Sequence, residues 1–188
     1  MSAFEFFFSF YGLLLGLSVV ELVGGLARTL HDGRRPRLGW LTPLLATFVL
    51  GDITSFWAFA WVDLRDVQVS YASLVGALVV AGLYYVAASL VFPRKPEAWT
   101  SLDGHFWRHR RTILVAVMAC NLPIYIMAIA RNFESGNPTL LLLAFAIYYC
   151  ILTIAATARR HAVVLTALAL ANAVYLVQFT GSLRGILI

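Results

Sequence analysis

Six apolar stretches, each long enough to cross a lipid bilayer as a helix, constrain this chain more than any other feature. A helix needs about 20 mostly apolar residues to cross about 30 Å of hydrocarbon. The chain is 61% hydrophobic and 12% charged, with a mean hydropathy of +0.84, unlike a soluble domain. We predict an all-α polytopic membrane protein, a single domain over residues 1–188, with six spans near 4–28, 41–62, 68–92, 112–131, 138–158 and 162–182.

Basic residues indicate how these spans are oriented. The first, third and fifth loops carry 11 of the 14 Lys and Arg residues, whereas the opposite side has only Arg65, Arg131 and Arg184. By the positive-inside rule, the three basic loops face the cytoplasm and both termini lie on the non-cytoplasmic side. We expect a protein of the bacterial inner (plasma) membrane that contacts lipids. Because its basic clusters alternate with apolar spans, we expect no nucleic-acid partner.

The third loop contains a candidate surface helix. Trp99, Leu102 and Phe106 recur at helical spacing, and Arg108 follows them. This pattern predicts a short interfacial helix over residues 99–109, lying on the inner membrane surface. A solvated connector with scattered aromatic residues is the alternative.

Two acidic residues lie inside apolar spans. Glu21 falls in the first span and Asp52 in the second, where a charged side chain costs about 2.5–3.5 kcal/mol on insertion scales. Counting from the basic side at 1.5 Å per residue places them at similar depths, roughly 10 and 14 Å. Two carboxylates at short range in a low dielectric share a proton or bind a cation. The alternative is that each acid is held by local hydrogen bonds and only joins helices.

Further polar residues fall at comparable depth. Ser18 lies on the helix face of Glu21, and Ser55 on that of Asp52. Asn121 and Asn172 add amides in the fourth and sixth spans. Pro123 predicts a break in the fourth helix, because proline cannot donate a backbone hydrogen bond. We therefore predict an ion or proton site that consists of Glu21, Asp52, Ser18, Ser55, Asn121 and Asn172.

Familiar catalytic and cofactor signatures are absent from the sequence. It has no GxSxG, Walker A, GxGxxG or HExxH motif, and none of its four histidines lies within a predicted span. We therefore expect no cofactor, and no haem held by paired membrane histidines. His105 and His109, spaced i, i+4, are weak candidates for a metal site, and we expect none.

These features favour a proton- or cation-coupled transporter or channel with an acidic site near the membrane midplane. A non-transporting accessory or assembly subunit of a larger membrane complex is the main alternative. A membrane-embedded enzyme that acts at the cytoplasmic rim, through residues such as His105 and His109, is a weaker one. Because six helices are few to enclose a transport pathway, we also expect a homo-oligomer, in which a second copy of the chain completes the walls of the pathway.

Overall fold

Six long helices make up the fold in the computed structural model, which describes residues 3–31, 39–63, 70–95, 98–134 and 139–187. The helices are α1 (Ala3–His31), α2 (Leu41–Asp63), α3 (Tyr71–Val91), α4 (Leu102–Glu134), α5 (Thr139–Thr157) and α6 (His161–Leu187). Each of them is long and apolar enough to cross a membrane. Within the described ranges the chain is all-helical, without strands, so the prediction of an all-α chain with six helices long and apolar enough to span a membrane is confirmed.

The helices pack in a ring with α2 turned toward its interior. Contacts run from α1 to α3, α4, α5, α6 and α2 in turn, and α2 closes the ring on α1. In addition, α2 contacts α3 and α4 across the bundle. A residue on the inner face of α2 can therefore reach side chains from most of the other helices.

Two glycines of α1 mark where neighbouring side chains approach its backbone closely. A Cβ atom added to Gly25 would lie 2.8 Å from Cβ of Phe92, and one added to Gly12 would lie 3.1 Å from the Trp57 ring. Gly16, by contrast, has no atom within 4 Å of its added Cβ. Gly12 therefore permits close packing of α1 against α2, whereas Gly16 makes no such contact.

Helix ends are stabilised by local and by long-range contacts. Ser70 caps α3 in a reciprocal pair, because Ser73 N donates to Ser70 Oγ at 3.2 Å and Ser70 N donates to Ser73 Oγ at 2.8 Å. At the C-terminus of α5, Arg110 donates to the carbonyl oxygens of Ala155 at 3.1 Å and Ala158 at 2.6 Å. The positive charge of Arg110 interacts favourably with the dipole of α5, and its N–H groups bind carbonyl oxygens at the helix end that lack a partner within the helix.

α4 differs from the sequence-based predictions in two respects, namely the interfacial helix over residues 99–109 and the break at Pro123. Residues 102–109 form its first turns, continuous with the spanning part, instead of a separate interfacial helix. Their apolar positions explain this, because Leu102 and Phe106 are buried in the bundle. The helix also continues through Pro123 to Glu134, so the break predicted at Pro123 does not occur.

Replacing Gly25 with Ala should destabilise the bundle, because the new methyl group would overlap Phe92 at the close contact between α1 and the end of α3. Overpacking of this kind costs typically about 1–3 kcal/mol. Gly16→Ala is the matched control and should be neutral or stabilising. Unfolding of the purified variants in detergent measures both, and an equal loss of stability in the two variants would contradict the predicted close packing at Gly25.

Candidate functional site

Asp52 lies near the middle of the bundle and is almost fully buried, with 2% of its surface exposed. It lies eleven residues after Leu41, the first residue of α2, which corresponds to roughly 16 Å along the helix axis. A span of about 30 Å therefore places Asp52 near its midpoint. The side chain points inward, toward α3, α4, α5 and α6.

Four side chains from four different helices donate hydrogen bonds to Asp52. Tyr84 of α3 donates to Oδ2 at 2.7 Å, and Tyr148 of α5 donates to Oδ1 at 2.8 Å. The amide nitrogen of Asn121, on α4, donates to Oδ2 at 2.9 Å and to Oδ1 at 3.1 Å. Tyr175 of α6 also donates to Oδ1. We call Asp52 with these four donors the carboxylate cluster.

This arrangement suits an ionised carboxylate. An ionised Asp has two acceptor oxygens and no donor, and every polar neighbour in the cluster can donate. Hydrogen bonds to a charged group are about twice as strong as neutral ones, which offsets the cost of placing charge in an apolar interior. The carboxylate cluster therefore joins five helices at one point.

Packing fixes the orientation of Tyr175. Its ring lies against Phe48, with ring centroids 5.8 Å apart, and a Cβ added to Gly51 would lie 3.2 Å from it. Its hydroxyl lies 3.3 Å from the hydroxyl of Tyr148. Each phenol has a single O–H, which it donates to Asp52, and the two hydroxyls are close enough to exchange partners without moving apart.

The second predicted acid, Glu21, lies in a different hydrogen-bonding environment. Its carboxylate forms an ion pair with Arg28 of the same helix, at 2.9 Å, and both side chains are partly exposed, at 23% and 44% respectively. The hydrogen bonds of Asp52 go to the tyrosines and Asn121, and none joins it to Glu21 within the described ranges. The structure therefore does not bring the two acids together in one hydrogen-bonded pair.

The other predicted site residues divide between the cluster and its surroundings. Asn121 is part of the carboxylate cluster. Ser55 donates to Gln178 Oε1 at 3.1 Å, and Asn172 donates to the carbonyl of Leu44 at 3.0 Å, so both connect α2 to α6. Ser18 is fully buried, and its hydroxyl has no hydrogen-bond partner among the residues that the structure describes.

The histidines predicted as weak metal candidates lie close together at the start of α4. The rings of His105 and His109 have centroids 4.5 Å apart, and Nε2 of His105 is hydrogen bonded to the carbonyl of Leu90 at 2.8 Å. His161 lies 3.8 Å from the Asp103 carboxylate. Within the described part of the chain, no group of three or more His, Cys, Asp or Glu residues is arranged to hold a metal ion.

A cleft between α2 and α6 adjoins the carboxylate cluster. It has a volume of about 420 Å³, and Ser55, Asn172, Tyr175 and Gln178 are among its lining residues. Tyr175 is therefore shared, since its hydroxyl reaches Asp52 and its side chain forms part of the cleft wall. A second cavity, of about 150 Å³, lies on another side of the bundle, between Tyr11 and Pro123.

Sequence reasoning did not identify the three tyrosines of the cluster. Tyr84 and Tyr148 each belong to a Tyr-Tyr pair near the middle of an apolar span, which was the available signal. A tyrosine buried in hydrocarbon needs a partner for its hydroxyl, and Asp52 lies at a comparable depth by residue count. Tyr175 is not part of a Tyr-Tyr pair, and only the packing of α6 on α2 reveals its role.

Comparisons of the chain with protein-family models, with curated proteins and with solved structures found no match. The geometry of the carboxylate cluster is therefore the basis for the functional proposal that follows.

Tyr84→Phe should destabilise the bundle by about 1–2 kcal/mol, since it removes a hydrogen bond to a buried charge. That exceeds the average of about 0.6 kcal/mol measured for hydrogen bonds between membrane helices. Tyr85→Phe is the control, because Tyr85 is adjacent in sequence and 41% exposed. Denaturant titration of the purified proteins in mixed micelles measures the difference, and equal stabilities would argue against a charged Asp52.

Proposed function

We propose that the protein is a proton-coupled membrane transporter or channel in which Asp52 binds and releases the proton. The observation that carries this proposal is the carboxylate cluster, an acid in the middle of the bundle whose polar neighbours from four helices all donate to it. Intramembrane ionisable residues are rare, and they commonly mark proton relays and ion pathways.

Protonation of Asp52 would change how the helices are held together. A protonated carboxyl carries an O–H donor, so one of the four groups that now donate must rotate and accept, or lose its partner. The hydroxyls of Tyr148 and Tyr175, 3.3 Å apart, offer a way to rearrange without leaving the cluster. Each of these phenols belongs to a different helix, and the protonation state of Asp52 would therefore bias the packing of α5 and α6 on α2.

The chemistry of the cluster favours a proton over a metal cation. Sodium and other hard cations are bound by oxygen lone pairs, usually six or more for calcium and magnesium. At Asp52, by contrast, the amide nitrogen of Asn121 donates toward both carboxylate oxygens, and Tyr84 directs its O–H at Oδ2. A metal ion would have to displace these donors, whereas a proton needs only one of them to turn.

A non-transporting accessory subunit is the second candidate. It is favoured by the same hydrogen bonds, since they satisfy Asp52 fully and tie together five helices in the manner of a structural crosslink. In that case Asp52 would stay ionised throughout, and the bundle would serve as a rigid docking partner for a larger membrane complex.

Proton flux into liposomes that contain the purified protein distinguishes the two candidates. We expect a valinomycin-imposed potassium potential to drive acidification faster than in empty liposomes, and Asp52→Asn to return the rate to that of empty liposomes. Glu21→Gln is the matched control and should retain flux, because Glu21 is paired with Arg28 outside the cluster. Absence of flux with the unsubstituted protein would favour the accessory subunit.

We also propose that the basic loops face the cytoplasm of a bacterial cell and that both termini lie outside. The distribution of Lys and Arg supports this orientation. Alkaline phosphatase fused to the C-terminus should be active in a bacterial host, and a fluorescent protein fused there should be dark. The reverse pattern, a fluorescent and phosphatase-inactive C-terminus, would invert the proposed topology.

A further inference from the structure

The cleft between α2 and α6 has the features of a ligand site. Its volume of about 420 Å³ falls within the range of about 300–1,000 Å³ typical of small-molecule pockets. By helix rise, its lining residues on α6 extend from Asn172, near the middle of the bundle, toward the end opposite the basic loops, and those on α2 lie to either side of the level of Asp52, from Thr47 to Ala58. The flanking side chains Leu50 and Leu176 are exposed on the apolar outer surface, so the cleft opens laterally toward lipid.

Two polar side chains in the cleft have unused hydrogen-bonding groups. Gln178 accepts from Ser55 through Oε1, which leaves its amide N–H groups without a partner among the described residues. Asn172 uses its amide nitrogen on the carbonyls of Leu44 and Leu168, which leaves its Oδ1 free to accept within the same described set. Unsatisfied polar groups in hydrocarbon are costly, so both favour a polar occupant.

The lining also indicates the charge of that occupant. All of the residues that line the cleft are uncharged, and most of them are apolar or hydroxyl-bearing. An anionic head group would lose its hydration there without gaining a counterion, and for a cationic one the nearest carboxylate, Asp52, is already saturated by its four donors. A neutral head that both accepts from Gln178 and donates to Asn172, joined to an apolar tail, matches the cleft.

We propose that this cleft binds an uncharged amphipathic molecule from the membrane, one whose head carries both a carbonyl and a hydroxyl group. The proposal rests on the proposed function, in which the occupant would be the transported or gating ligand. Tyr175 couples the two sites, because its side chain lines the cleft and its hydroxyl donates to Asp52. A ligand that displaces Tyr175 would remove one donor from the carboxylate and so favour its protonation.

Photolabelling of the full-length protein in phosphatidylcholine nanodiscs tests the cleft directly. Three probes share a decyl chain that ends in a diazirine and differ only in the head, which is a glycerol ester, a phosphate or a trimethylammonium. We expect the glycerol ester to label peptides of α2 and α6 at the cleft, and both charged probes to label them only at background level.

Leu50→Trp fills the cleft and should reduce labelling by the glycerol ester to background. Val174→Trp is the matched control, because it introduces the same side chain on α6 at an exposed position outside the cleft lining and should leave labelling unchanged. Labelling that persists in Leu50→Trp, equal labelling by charged probes, or no labelling by any probe, as when a second copy covers the cleft, would each overturn the proposal.

The photolabelling and proton-flux measurements test the ligand site and the proposed function separately. Proton flux that depends on Asp52, together with no specific labelling, would refute the ligand site and leave the proposed function standing. Specific labelling by the glycerol ester, without proton flux in liposomes that also contain this ester, would support the ligand site and refute proton coupling.

Discussion

A single buried carboxylate organises the interior of this bundle. Water is absent from the apolar interior of a membrane, so a charge there must be stabilised by the protein itself. Asp52 meets this requirement by accepting from three phenols and one amide, each on a different helix. The position of α2 within the ring makes this possible, because a residue on its inner face is within reach of α3, α4, α5 and α6.

Such a cluster is sensitive to protonation because three phenols and one amide all direct hydrogens at the two oxygens of one carboxylate. As long as Asp52 is ionised, every phenol donates and the five helices are held at one point. Addition of one proton creates a donor where only acceptors existed, and at least one hydrogen bond must reverse or break. Under the proposed function, the contacts that stabilise the bundle would thus also respond to protonation, and Tyr175 would link that response to the lateral cleft.

The basic residues that indicate topology also take part in the fold. Arg110 is buried, lies 4.1 Å above the ring of Trp107 and donates to the last carbonyls of α5. Arg111 donates to the Ala156 carbonyl at 3.4 Å. An arginine counted as part of a cytoplasmic loop can thus be a helix cap, because α4 begins beside the C-terminus of α5. Charge distribution along the sequence does not separate these roles.

The sequence by itself determined the number of helices and the depth of Asp52, because both depend on local properties, namely the length of apolar runs and the rise per residue. Asn121 was also identifiable, since an amide at matching depth is a natural partner for a buried acid. That Asp52 binds three tyrosines depends on the tertiary structure. Glu21, by contrast, pairs with Arg28 within its own helix. Depth along a helix follows from counting residues, but the direction in which a side chain points toward other helices depends on how all six are arranged.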